Sequence, residues 1–184
     1  MIYEPSDDSF LLAEQIPKIL KSIKKNPKVL DMGSGSGIQA KTLIENKIPA
    51  ENITLIDIDN ETIKYLKKYF PKSKVIKSNL FSKISKSKKF DLIIFNPPYL
   101  PRDKREPKTS QLATTGGKNG DEIILKFLKQ SKVHLNKDGR ILLLTSSLTP
   151  MNKIEKEFSK FSRVKKLASK KIFFEELYVY LLEQ

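Results

Sequence analysis

Short apolar runs alternate along this chain with stretches that repeat their apolar residues at helical spacing, and that alternation restricts the fold more than any other feature. "KVLDMGSGSG" is an apolar strand running into a glycine turn, followed by a predicted helix over Ile38 to Asn46. "NITLIDID" is a second strand, and Asn60 then caps a helix carrying Ile63, Leu66 and Phe70 on one side. "SKVIKSN" and "FDLIIFN" supply the third and fourth strands, "DEIILKFLKQSKVHL" is helical by its apolar positions 123, 124, 127, 128 and 135, and "GRILLLTSS" is a fifth strand. Strands separated by helices lie parallel, because a parallel neighbour needs a crossover long enough to return the chain.

Both ends differ from this middle. The opening "SDDSFLLAEQIPKILKSIKK" reads as one helix capped by Ser6 or Asp8, buried through Leu12, Ile16, Ile19, Leu20 and Ile23, with Pro17 as a kink. At the other end a helix near Asn152 to Phe161 precedes "RVKKLAS" and "ELYVYLLEQ", two strand-like segments with no helix between them, which predicts an antiparallel pair. The expected fold is α/β, a mostly parallel seven-stranded sheet closed by a C-terminal antiparallel hairpin, in a single domain over residues 1–184. This is the outline of the Rossmann-like fold of class I methyltransferases.

Composition narrows the chemistry. Without cysteine there is no disulfide or thiolate metal site, and the single histidine, His134, cannot form a histidine cluster, so no metal is expected and His134 is read as a surface or structural residue. No apolar run approaches the ~20 residues that cross a bilayer, and "MIYEPSDDSF" lacks a signal peptide's layout; a cytoplasmic location is expected, with no membrane partner. The formal charge of +14 invites a nucleic-acid reading. Yet the cations are mostly lysine, with arginine only at 102, 105, 140 and 163, and the basic runs carry no interleaved aromatic residues for stacking. A solvated, solubilising surface is favoured over a nucleic-acid partner.

The segment "PPYLPRDKREPKTSQLATTGGKNG" after the fourth strand shows neither period nor core. It leaves the carboxyl end of a central strand, where open α/β sheets bind ligands, so it is read as a substrate loop or lid hinged near Gly116, Gly117 and Gly120.

The same end of the sheet gathers candidate site residues. Gly33, Gly35 and Gly37 allow a tight turn and close approach of a ligand, although a glycine turn alone marks only a turn, and a dinucleotide fingerprint would want glycine where Ile38 stands. Asp57, at the end of the second strand, can accept hydrogen bonds from both hydroxyls of a ribose. Asp31 places a carboxylate where a pyrophosphate would be repelled and where the ammonium and sulfonium of S-adenosylmethionine would be welcome. Asn79 and Leu80 can flank the adenine. Finally, Asn96-Pro97-Pro98-Tyr99 ends a buried strand on a rigid corner. The Asn96 side-chain oxygen and the Pro97 carbonyl can accept both N–H bonds of a substrate NH₂, aiming its lone pair at a methyl group, while Tyr99 packs on the planar group.

"NPPY" after an apolar strand, with "DMGSGSG" before it, resembles the amino-group methyltransferases that act on adenine, cytosine or glutamine. "YEPSDDSFLL" (3–12) and "GGKNGDEIILKFL" (116–128) are similar to the short archaeal and eukaryotic branch of the HemK-type glutamine methyltransferases. The resemblance implies methylation of the glutamine in the Gly-Gly-Gln loop of class I translation release factors. It implies cofactor contacts from Ser9, Asp31, Gly33, Asp57, Asn79, Leu80 and Asn96, with Asn96, Pro97 and Tyr99 around the substrate amide. It also implies a small zinc-binding activator in a heterodimer, paired along an edge strand expected to be "SKVIKSN". Where the family usually has aspartate this chain has Asn79, which keeps an oxygen able to accept from the adenine amine. Methylation of adenine in RNA or DNA, methylation of a protein lysine, and a binding module without catalysis are the competing readings.

Overall fold

The computed structural model describes residues 4–184; Tyr3, in the opening motif, lies outside the described residues. Its strands β1 (Val29–Met32) and β4 (Phe90–Phe95) are buried at every position, and β2 (Ile53–Asp57) at all but its last. Strands covered on both faces need helices on both sides. The seven-stranded sheet has the order β3 (Lys74–Lys77), β2, β1, β4, β7 (Leu135–Ser146), β9 (Glu175–Glu183), β8 (Arg163–Ile172). Neighbours are parallel as far as β7, and β9 runs antiparallel to both of its neighbours, as the alternation and the helix-free ending require.

Period-two alternation along β4 divides the core. Leu92 and Ile94 pack with Leu12, Ile16, Ala40 and Leu43 from α1 (Asp7–Ala13), α2 (Ile16–Leu20) and α3 (Ile38–Glu45). Ile93 and Phe95 face the opposite way, onto Ile124, Phe127 and Leu128 of α6 (Glu122–Ser131) and onto Ile154 and Phe158 of α7 (Met151–Phe158). Each such side chain contributes about 1.5–3 kcal/mol by leaving water, so the strand bearing the Asn-Pro corner is fixed from both sides.

Several local expectations change. The opening helix is two: Pro17 stands in the first turn of α2, where its missing N–H has no partner to lose, so it starts a helix and does not kink one. Ser6 holds the N-cap position of α1 without a side-chain cap bond, and Asp8 lies inside the helix. Helix α4 (Asn60–Tyr69) is capped by Asp59, whose carboxylate accepts from the Thr62 N–H at 2.8 Å, one residue before the expected Asn60. His134 is buried, stacked on Phe81 at 4.5 Å with Nδ1 3.0 Å from the Lys88 carbonyl oxygen, a structural role.

The segment after β4 holds β5 (Leu100–Pro101), α5 (Lys108–Thr114) and β6 (Thr115–Gly117), with β5 pairing to β6. Its glycines are points of close packing. A Cβ on Gly116 would lie 2.3 Å from the Gly120 carbonyl oxygen and 2.7 Å from that of Pro98, so the segment seals directly onto the corner. Among the described residues no helix is long and apolar enough to cross a membrane.

Candidate active site

A cleft of about 580 Å³ opens at the carboxyl ends of β1, β2 and β4. The order β2-β1-β4 places it where the strand sequence reverses direction, the usual ligand site of an open α/β sheet. Ser9, Asp31, Gly33, Gly35, Asp57, Asn79, Leu80, Asn96 and Pro97 all line it.

The turn after β1 takes its shape from glycine. Gly37 has φ +77°, and a Cβ there would come within 2.4 Å of the Phe70 ring. Gly33, at φ +64°, brings the turn against Phe95 and the Asn96 backbone. Asp57 ties this turn to β2, accepting from the Gly35 N–H at 3.0 Å and from the Asp59 N–H at 2.9 Å. Burial pushes the Asp57 carboxyl above its ordinary value, and those N–H bonds offset only part of the rise. Each of its oxygens retains a further lone pair, which fits a ribose diol.

Asp31 is only 1% exposed, and its Oδ2 has no hydrogen-bond partner. Burial raises its pKa to about 8, with Ser34 and the Ala40 backbone opposing and Asp57 adding to the rise. A buried carboxyl left this poorly satisfied fits a cationic ligand, whose charge would favour the ionised form. Leu80 adopts φ +50°, uncommon for a branched side chain, and its carbonyl is held by the Ser78 hydroxyl at 2.8 Å. Asn79 beside it is exposed at the rim.

At the corner, Asn96 Nδ2 donates to Asp8 Oδ2 at 3.1 Å and to Ser9 Oγ at 3.4 Å. A carboxylate only accepts, so this pairing turns the amide nitrogen towards Asp8 and leaves Oδ1 as the free end. That Oδ1 is buried and has no partner. Ser9 also gives its carbonyl to Gln39 Nε2 at 3.0 Å, linking α1 to α3 behind the site. Tyr99 does not line the cleft: its ring packs against both core layers and its carbonyl accepts from Thr149 Oγ1 at 3.0 Å, bracing the corner from behind.

Among the lining residues that sequence reading missed are Asp8, Gln39, Leu112 and Ala113. Asp8 reads as a cap because it sits in a Ser-Asp-Asp-Ser string. Gln39 lines the cleft with its Oε1 buried and unpartnered; a polar residue in phase with buried Ala40 and Leu43 is the signal that could have found it. Leu112 and Ala113 of α5 close one wall, but a helix with so few apolar residues leaves no period to read.

Comparison with known proteins identifies the family. The family model described as "Methyltransferase small domain" matches residues 7–174. A Methanocaldococcus jannaschii protein, named as a protein N5-glutamine methyltransferase, is 34% identical over 97% of this chain and 89% of its own. The release factor glutamine methyltransferase of Fusobacterium nucleatum is 36% identical over 55% of this chain, which spans only 30% of that longer protein. Among solved structures, Mtq2 in the E. cuniculi Mtq2–Trm112 complex, described as responsible for methylating the termination factor eRF1, superposes with a TM-score of 0.75 over 100% of this chain and 98% of its own; at 22% identity that likeness establishes the fold. The chain therefore belongs to the methyltransferase small domain family and, within it, to the HemK-type S-adenosylmethionine-dependent glutamine methyltransferases.

Proposed function

We propose that this enzyme methylates the side-chain amide nitrogen of the glutamine in the Gly-Gly-Gln loop of a class I translation release factor. The observation that carries the reading is the Asn96 Oδ1: buried and unpartnered on a residue that lines the cleft, with Asp8 holding the other end of the amide. When bound, S-adenosylmethionine supplies an electrophilic methyl group. Asp31 receives its cationic amino acid end, Asp57 its ribose, the turn at Gly33 and Gly35 its close backbone approach, and Asn79 with Leu80 its adenine. Ser9 anchors Asn96 at the cofactor's edge.

An amide nitrogen is a poor nucleophile because its lone pair is delocalised. Asn96 Oδ1 and the Pro97 carbonyl would accept its two N–H bonds, hold its lone pair towards the methyl group of a bound cofactor, and share the positive charge that develops on nitrogen until one of those protons is lost to solvent. The two prolines fix these acceptors before the substrate arrives, and Tyr99 holds the corner rigid. No covalent enzyme intermediate and no metal is needed.

Mass spectrometry of the release factor after incubation with enzyme and cofactor tests the reading, with RNA and DNA offered in parallel with labelled cofactor. A single methyl group on the glutamine-bearing peptide is the expected result. Label in adenine of RNA or DNA alone, or on a lysine, overturns it.

The enzyme works as one domain over residues 1–184, in the cytoplasm with its substrate. A small zinc-binding activator adds a strand to β3, an open edge of the sheet whose Lys74 and Lys77 are exposed and suit an acidic partner. That the Mtq2 structure is a complex with Trm112 supports a partner protein, and the open edge at β3 is our reading of where it would pair. Co-purification with such an activator and light scattering check it; a soluble monomer fully active alone overturns it.

A further inference from the structure

Phe173 and Phe174 are 103% and 95% exposed at the turn between β8 and β9. Adjacent aromatic side chains that bury nothing within their own chain leave a large apolar area in water. They are not isolated at that end of the molecule. Leu148, in the turn after β7, is 44% exposed, and Phe10, on the outside of α1, is 50% exposed.

Strand register shows which end this is. Phe95, just before the Asn-Pro corner, pairs with Leu143 of β7, and Ser146 at the end of β7 pairs with Leu177 of β9. The hairpin tip therefore projects beyond the carboxyl ends of the parallel strands, the end that holds the cleft. Lys170 also pairs with Asp7 at 2.9 Å, fixing the hairpin to α1 next to Asp8, which holds Asn96. Only β7 lies between β4 and β9, two spacings of about 4.8 Å, while β7 runs three residues past the level of Phe95 and the tip a few more, each about 3.3 Å. The phenylalanines thus stand roughly 20–25 Å from the corner by the same spacings, too far for the reacting glutamine and within reach of the protein surface around it.

Charge at the tip is mixed: Glu175 and Glu176 stand there as carboxylates, Lys171 lies opposite Glu176, and Lys170 is paired with Asp7, so the apolar pair and not a net charge is what the tip presents. We propose that the Phe173–Phe174 tip is a docking prong for the protein substrate, seated in an apolar depression of that protein, which holds the Gly-Gly-Gln loop over the corner. This rests on the glutamine reading above.

The test compares the wild type with the double variant Phe173→Ala, Phe174→Ala. Methyl transfer is measured on the intact release factor and on a short peptide spanning the Gly-Gly-Gln loop, and cofactor affinity by calorimetry. The expected result for the double variant is a loss of about 10–100-fold in kcat/KM on the intact factor, carried by KM, with peptide turnover and cofactor affinity unchanged.

Equal turnover of the intact factor by wild type and double variant overturns the prong. So does an equal loss on factor and peptide. If the tip instead binds vesicles of anionic phospholipid, or mediates self-association that sedimentation shows to vanish in the variant, while turnover of the factor stays the same, the prong is likewise overturned. A wild type that methylates neither factor nor peptide overturns the glutamine reading itself, and the prong with it.

Discussion

Asp31 and Asp91 lie on neighbouring strands, and both are almost fully buried, at 1% and 6% exposure. At the amino end of the sheet, Asp91 accepts from the Lys28 N–H at 2.7 Å and from Asn136 Nδ2 at 2.5 Å, and pairs with the Lys24 ammonium at 2.9 Å. Burial pushes its carboxyl up, but Lys24, Lys28 and Asn136 outweigh that and hold it below the usual range. At the carboxyl end, burial dominates at Asp31, one oxygen finds no partner, and the pKa rises to about 8. The first acid is satisfied by its own fold; the second is left for a ligand to satisfy. Asn96 Oδ1 and Gln39 Oε1, two more unpartnered oxygens, share Asp31's end of the molecule.

The contrast fails first at the corner if it fails at all. Asn96→Ala removes the unpartnered acceptor, and kcat for methyl transfer is expected to fall about 10²–10³-fold while calorimetry finds cofactor affinity within a few-fold of wild type. Retained turnover would place the substrate nitrogen elsewhere.

Asp31→Asn is expected to weaken cofactor affinity about 10–100-fold, the worth of one charge-assisted contact. The folded pKa of Asp31 is raised from 3.8 to about 8. Its ionisation therefore opposes folding, and wild-type stability without cofactor falls as pH rises from about 4 to about 8. Thermal melts across that window should show the variant gaining on the wild type. Wild-type cofactor affinity should rise with pH to about 8 and then level off, because the cationic ligand favours ionised Asp31; the variant should show no such rise.

For Asp91→Ala the expected cost is stability of about 1–3 kcal/mol, with turnover per folded molecule unchanged. Asp91's pKa is lowered, so its stabilisation is complete above the ordinary carboxylate range and is lost as pH falls through its folded pKa. Urea unfolding of wild type and variant should converge under acid. The smallest effect belongs to Asn79→Asp. A carboxylate at this exposed rim position strengthens the bond from the adenine amine, and cofactor affinity should tighten a few-fold by calorimetry.

Much of this contrast was legible before any coordinates. Asp31 and Asp57 were identifiable because each follows an apolar run and flanks the glycine turn, and Asn96 because two prolines must end the strand that carries it. Asp91 offered no such sign: its partners come from two distant parts of the chain, Lys24 with Lys28 and Asn136, and meet it only when β1, β4 and β7 align. Asp8 was hidden for a related reason, since an aspartate near a helix start reads as a cap until the fold turns it towards a strand end 88 residues away. The packing role of Gly116 and Gly120 was equally out of reach, because glycine reads as freedom in a sequence and as close approach only beside a known neighbour.

Periodicity, turn residues and the proline pair determined the elements, their alternation and the residues at the strand ends, because these follow from local sterics and from which side chains leave water. Tertiary structure alone decided that Asp8 takes the nitrogen of the Asn96 amide and leaves its oxygen unpartnered, that Tyr99 braces the corner from behind, and that two phenylalanines stand exposed at the end of the molecule where the cleft opens. Hydrogen-bond polarity and exposure depend on neighbours remote in the chain, which local patterns do not encode.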